Sequence, residues 1–359
     1  MYKVAIISCG MIASSAHIPA YKAYPDRYEI VAVCDVNAEL AEKTAKEHGI
    51  ACYYTDAEEM LRAHKPDVVS VCVPNMLHKK YTMLALSYGA HVLCEKPLAF
   101  TYADAKEMFD YAAAQGKRLM ACQSLRFLPE RLDAYERMRR GEIGEVYYAE
   151  MSRIRRRGIP TWGKFHIKAY SGGGALVDIG VHGLDSALWL MGNLQPVSVN
   201  AVMSKVHTDE HGLTESAGAL KGWAPSRKFD PAEMDVESFS SGTVRFVGGK
   251  TLAFKVAWAA NLSEENNLRF SGSVGGMDLE NREYYCGVDT TQKVTVAPNG
   301  FKDEPFYGHF CLVENFADVL DGRAELFVKP EETLNVTAVL EAAYLSAEQG
   351  REVRIDEIV

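Results

Sequence analysis

The sequence predicts an α/β protein in two parts. A doubly wound parallel sheet is expected over residues 1–124. A second α/β domain, with a large, mainly antiparallel open sheet, is expected over residues 125–359. Three observations carry this. The first third alternates short apolar runs with helix-like segments. The first run ends on a glycine corner before a helix. The second half turns to long Val-, Thr- and Phe-rich runs separated by Gly- and Asn-containing turns.

Composition narrows the class. A chain of 359 residues suffices for two domains and a sizeable core. Lys and Arg number 39 against 48 Asp and Glu, a formal charge of −9, which argues against a general nucleic-acid or membrane-surface binder. The strand-like pattern begins at Lys3, leaving no room for a signal peptide, and no apolar run reaches membrane-spanning length; a cytoplasmic protein is expected. Of eight cysteines, Cys9, Cys34, Cys72, Cys94 and Cys122 fall at or near the ends of apolar runs, with no Cys-x-x-Cys. Free core thiols are expected, not a disulfide framework or a structural zinc.

Taken in order, strand-like runs cover residues 3–8, 30–34, 68–73, 91–94 and 118–122. Helical periodicity marks residues 38–48, 57–64, 79–88 and 102–115. Ligands of such sheets bind at the carboxyl ends of the strands, so the corners matter most: Gly10, Asp35, Pro74-Asn75, Glu95-Lys96-Pro97 and Gln123. At the first corner, Ser8-Cys9-Gly10-Met11-Ile12-Ala13 is a degenerate dinucleotide fingerprint in which Ser8 replaces the first glycine. Gly10 would let the backbone approach a pyrophosphate, and the amides that follow would face it. Asp35 ends the second run, where an acid accepts ribose hydroxyls and repels a 2′-phosphate, so NAD is favoured over NADP; the alternative for Asp35 is a helix N-cap. Pro97 fixes the conformation of Lys96, which could donate to a substrate hydroxyl and stabilise a developing alkoxide; alternatively Lys96 pairs with Glu95 at the surface.

Beyond Gln123 the alternation ends. Arg126 precedes a helix that runs from Pro129 through Arg140, and a strand-like run covers 146–153. The interleaved cationic and aromatic run from Arg155 to Trp162, including Arg156, suits a sugar pocket or a cofactor phosphate; the alternative is a solvated basic loop. Three glycines at 172–174 lead into an apolar run ending at Met191, with helical spacing. Asp178 and His182 lie four apart, one above the other on an α-helix, a plausible acid/base pair. The glycines would let a cofactor ring approach the backbone. The alternatives are a buried helix whose Asp and His satisfy each other, or two metal ligands with no third partner fixed. Strands are then expected at 197–205, 236–246, 251–259, 267–272, 277–281 and 292–297, a polar excursion at 207–231, and closing helices near 309–320 and 331–348.

The sequence resembles the Gfo/Idh/MocA family, the glucose–fructose oxidoreductase and inositol 2-dehydrogenase group. The resemblance rests on Gly10-x-x-Ala13 with His17 and Pro19, Val73-Pro74-Asn75 with His78, Glu95-Lys96-Pro97, and Gly172–Gly174 through Asp178 and His182. It covers essentially the whole chain and implies an N-terminal Rossmann domain and a C-terminal sheet domain used in substrate binding and often in oligomerisation. It implies a catalytic Lys96, Asp178 and His182. The cofactor site is expected at Gly10, Met11, Ile12, Asp35, Pro74, Asn75, His78, Glu95, Lys96, Gln123 and Trp162. The substrate site is expected at Arg126, Arg156, Lys96, Asp178 and His182, with no metal. The expected reaction is NAD-dependent hydride transfer from a secondary hydroxyl, at C3, of a sugar, glycoside or cyclitol. Alternatives are a redox-neutral glycosidase or lyase that recycles tightly bound NAD(H), and a non-catalytic nucleotide sensor. A small-molecule substrate and a homo-oligomer through the C-terminal sheet are the expected partners.

Overall fold

A computed structural model describes residues 1–208, 229–287, 290–293 and 306–359. The chain divides into two compact units. The first contains a six-stranded, wholly parallel sheet built from β1 (Tyr2–Ile7), β2 (Tyr28–Cys34), β3 (Tyr53–Tyr54), β4 (Val68–Val71), β5 (His91–Cys94) and β6 (Leu119–Ala121). The order is β3-β2-β1-β4-β5-β6, the doubly wound arrangement whose switch point lies between β1 and β4. The central strands read as near-continuous apolar runs, broken in β4 only by Ser70, because both faces are covered: Val4–Ile7 and Val68–Val71 are buried throughout.

Helices α1 (Ile18–Lys22), α2 (Ala38–His48), α3 (Ala57–His64), α4 (His78–Ser87) and α5 (Tyr102–Ala114) supply the crossovers. Asn37 caps α2 by accepting the Leu40 N–H at 3.1 Å, and Asp56 caps α3 by accepting the Glu59 N–H at 2.8 Å.

The second unit contains α6 (Pro129–Arg139), β7 (Val146–Ile154), α7 (Lys168–Ser171), α8 (Val181–Leu190), β8 (Pro196–Ser204), β9 (Phe239–Phe246), β10 (Thr251–Ala257), β11 (Glu265–Gly272), β12 (Gly275–Asp278), β13 (Glu283–Cys286), β14 (Thr290–Lys293) and β15 (Val353–Arg354). These strands pair in the order β14-β13-β12-β11-β7-β10-β9-β8-β15. All described pairs are antiparallel except β7 with β10. That exception follows from connectivity, since α8 carries the chain back before the next strand and so permits a parallel neighbour. The last expected strand is seen as β14; residues 294–297 of it lie outside the described residues. So do residues 209–228 of the polar excursion.

Two helices close the chain, α9 (Tyr307–Leu320) and α10 (Pro330–Gln349). The single cut after residue 124 needs one correction. Residues 306–333, with α9, belong to the first unit. The Tyr28 hydroxyl donates to the Val313 carbonyl at 2.9 Å, and Arg27 pairs with Asp318 and Asp321. Such contacts between distant segments leave no mark in local periodicity. All eight cysteines are free, and no helix among the described residues is long and apolar enough to cross a membrane.

Candidate active site

The first corner of the parallel sheet keeps the geometry of a dinucleotide turn despite Ser8. That residue adopts φ +85°, a left-handed conformation that favours glycine. Its hydroxyl ties the strained turn down, accepting from the Gly10 N–H at 3.4 Å and donating to Asp35 Oδ2 at 3.3 Å. A helix starts at Met11 and Ile12 and passes through a π-helical turn, Ala13–His17, into α1. A Cβ on Gly10 would meet only the Ser8 hydroxyl, at 3.6 Å, so the corner is open for a phosphate.

Asp35 is not the N-cap, a job Asn37 does. Its carboxylate accepts from Cys9 N at 2.9 Å, Ser8 Oγ and Asn37 N at 2.9 Å. Three of about four acceptor positions are thus used, leaving room for a ribose hydroxyl. Pro74 is exposed and Asn75 opens a 3-10 turn at the carboxyl end of β4. At the end of β6, the Gln123 side-chain oxygen is buried and bonds to nothing among the described residues. A buried orphan acceptor at a sheet's carboxyl edge fits a ligand that brings its own donor.

Lys96 is partly exposed in an otherwise buried stretch, residues 92–99. Glu95 is not its surface partner, nor is it available to a cofactor. Only 6% exposed, Glu95 accepts through Oε1 from His17 Nε2 at 2.9 Å and His309 Nε2 at 3.0 Å. Its Oε2 accepts the Lys96 amide at 3.2 Å. Burial acts to raise the Glu95 pKa, but the two imidazole hydrogen bonds hold it well below the usual carboxylate range. Each ring therefore carries its proton on Nε2. Burial pushes the His17 pKa down, so its Nδ1 accepts from Ser70 Oγ at 3.0 Å, and Ser70 accepts from Tyr21 Oη at 2.7 Å.

Cys122 places a third potential ligand atom within 4.8 Å of those of His17 and Glu95. The His17–Glu95 distance is that of a hydrogen bond, and burial pushes the Cys122 thiol far above the thiolate range, so the cluster reads as a buried polar strut under Lys96. His78 is a second strut. Its ring nitrogens face the Pro97 carbonyl at 2.7 Å and the Val73 carbonyl at 3.0 Å, which corrects the expectation that it touches cofactor.

In the second unit, every residue from 171 to 191 is buried except Asp178 and His182. Gly180 and Gly183 bring this helix hard onto the sheet; a Cβ on Gly183 would lie 2.7 Å from Met151, and one on Gly180 3.0 Å from Val256. The expected straight α-helix is corrected. Leu176–Gly180 is a π-helical turn that leads into α8, so the two residues do not stack at α-helical pitch. Asp178 Oδ2 accepts from the indole N–H of the fully buried Trp258 at 3.0 Å.

The reason for the glycine triplet is also corrected. A Cβ on Gly173 would lie 2.0 Å from the Tyr344 hydroxyl, and one on Gly174 1.8 Å from the Glu237 carbonyl. The bodies that come close are protein.

Of the cationic residues, Arg126 is fully buried and paired with Glu332, so it is a core ion pair, not a substrate ligand. Arg157 is spent on the Ala260 carbonyl and Asn261, and Arg155 on the Gly158 carbonyl, while Arg156 is exposed. Trp162 keeps a buried indole N–H without a partner among the described residues, a donor suited to a ligand. Sequence reasoning missed Glu237, Trp258, Tyr344 and His309. They act across long separations, and an acid at Glu237 inside the strand-like run expected at 236–246 was the one available signal.

A family model described as oxidoreductase family, NAD-binding Rossmann fold, matches residues 2–123, and the GFO/IDH/MocA C-terminal domain matches residues 132–278. D-glucoside 3-dehydrogenase of Escherichia coli K12 is 35% identical over 98% of this chain and 97% of its own length. D-apiose dehydrogenase of Paraburkholderia graminis is 26% identical over 99% of this chain and 90% of its own. Among solved structures, aldose–aldose oxidoreductase from Caulobacter crescentus, complexed with glycerol, superposes with a TM-score of 0.79 at 26% identity, covering 98% and 99% of the two chains. The chain belongs to the Gfo/Idh/MocA family of NAD-binding oxidoreductases.

Proposed function

We propose that the protein oxidises a secondary hydroxyl, at C3, of a D-glucoside or related sugar, using NAD. The observation that carries this is the burial pattern of residues 171–191, in which only Asp178 and His182 reach solvent. Burying a carboxylate or an imidazole costs free energy, so their exposure alone is ordinary; what argues for chemistry is that two such groups interrupt an otherwise buried run, with one of them held by the buried Trp258 indole. The likeness to a D-glucoside 3-dehydrogenase supports the substrate class.

In this reading His182 takes the hydroxyl proton, Lys96 holds the oxygen and stabilises its growing negative charge, and Asp178, fixed by Trp258, orients the substrate or His182. When bound, NAD supplies the hydride acceptor. Gly10, Met11, Ile12, Pro74, Asn75 and Gln123 would hold it, with Asp35 on the ribose hydroxyls and against a 2′-phosphate. Trp162 and Arg156 are proposed on the substrate or cofactor. We place self-association on the sheet face that carries Tyr148, Glu150, Thr243 and Lys255, which line a depression of about 420 Å³.

A panel of methyl and aryl D-glucosides, free aldoses and cyclitols, read for both NADH and product mass, tests the substrate. The expected result is NADH with a glucoside product two hydrogens lighter. Turnover of cyclitols alone would overturn the glucoside reading. Loss of the aglycone with no net NADH would replace it with a redox-neutral reaction on retained NAD(H).

A further inference from the structure

Glu237 lies just before β9, outside every motif that suggested the function. Its carboxylate accepts the Gly174 N–H at 2.9 Å through Oε2 and the Leu176 N–H at 3.0 Å through Oε1; its own carbonyl accepts the Ala175 N–H at 3.1 Å. Three consecutive amides at the start of the helix bearing Asp178 and His182 thus find their partners on one residue. Those amides would otherwise be orphans, each costing roughly 1–3 kcal/mol if buried unpaired. Tyr344 Oη donates to Glu237 Oε1 at 2.8 Å and fixes the carboxylate from the other side.

The neighbouring Ser238 closes the frame. Its carbonyl accepts the Trp258 N–H at 2.8 Å, and the Trp258 indole holds Asp178. One dipeptide therefore sets both the helix start and the partner of Asp178. Anchored at these first amides, the π-helical turn Leu176–Gly180 carries Asp178 and leads directly into α8 and His182. The glycines at 173 and 174 are the space this frame requires.

We infer that Glu237, held by Tyr344, is a positioning residue for Asp178 and His182, acting through the amides of residues 174–176. The inference rests on the catalytic reading of those two residues. Burial pushes the Glu237 pKa up, while the three donors that converge on its carboxylate favour the ionised form. The amide group of glutamine would turn a fourth donor toward them.

The test compares wild type with E237Q and Y344F in the full chain. Two readouts are used: the ring-proton NMR titration of His182, which needs no substrate, and steady-state kinetics. Expected for E237Q is a folded protein by circular dichroism, an altered His182 titration, and kcat down by about tenfold or more. KM for NAD should move less than about twofold, since kcat alone reports the lost placement. Y344F should shift both in the same direction, by less. An unchanged His182 titration and kcat within about twofold of wild type in folded E237Q would overturn the inference. If E237Q does not fold, Y344F decides by the same criteria. If no sugar is turned over by wild type, the functional reading fails while the His182 titration still decides this one.

Discussion

Replacing His182 with alanine is expected to lower kcat by about 10²–10⁴-fold while leaving KM for NAD little changed. His182 is one of two partly exposed side chains in an otherwise buried helical run, and its placement is fixed by glycine contacts beneath it at Gly180 and Gly183. Removing the imidazole leaves the fold's buried surface nearly intact, so the loss should appear in turnover and not in the folded fraction. A base that accepts the hydroxyl proton works in the transition state, which is why kcat should carry the effect. Wild-type turnover in a folded H182A variant, measured as initial NADH formation, would remove His182 from the chemistry.

Replacing Lys96 with alanine is expected to cost about 10²–10³-fold in kcat, the scale of losing one donor to a developing oxyanion. Lys96 is the partly exposed residue in a buried stretch, and its backbone amide is held by Glu95, itself fixed between His17 and His309. That support gives the ammonium a fixed root. An arginine is a poor replacement, since its planar fork reaches differently from a compact ammonium. K96R should therefore stay well below wild type, and equal kcat for K96R, K96A and wild type would contradict the role.

The parallel sheet was readable because buried central strands appear as short apolar runs and crossover helices as 3.6-residue periods. Asp35, Lys96 and Gln123 fall at strand ends for that reason. What stayed hidden is non-local. Arg126 looks like a ligand until Glu332, far along the chain, is seen against it. The helix α9 looks like part of the second domain until Tyr28 and Arg27 are found bonded to it. The glycine triplet was legible as a demand for space, but its occupants, Tyr344 and the Glu237 carbonyl, come from elsewhere. The π-helical turn was illegible because apolar periodicity alone returns the α-helical default, and the partner of the helix's first amides, Glu237, lies far along the chain. Ser8 adopts a glycine-like φ because its hydroxyl bonds Asp35, a contact a consensus motif does not encode.

In the proposed reaction hydride leaves C3 of the sugar, and an isotopic label at that carbon follows it most directly. Turnover of a D-glucoside deuterated at C3 should give NADH carrying one deuterium at nicotinamide C4 and a 3-keto product without the label. NADH free of deuterium, or a product that keeps the label at C3, would contradict it.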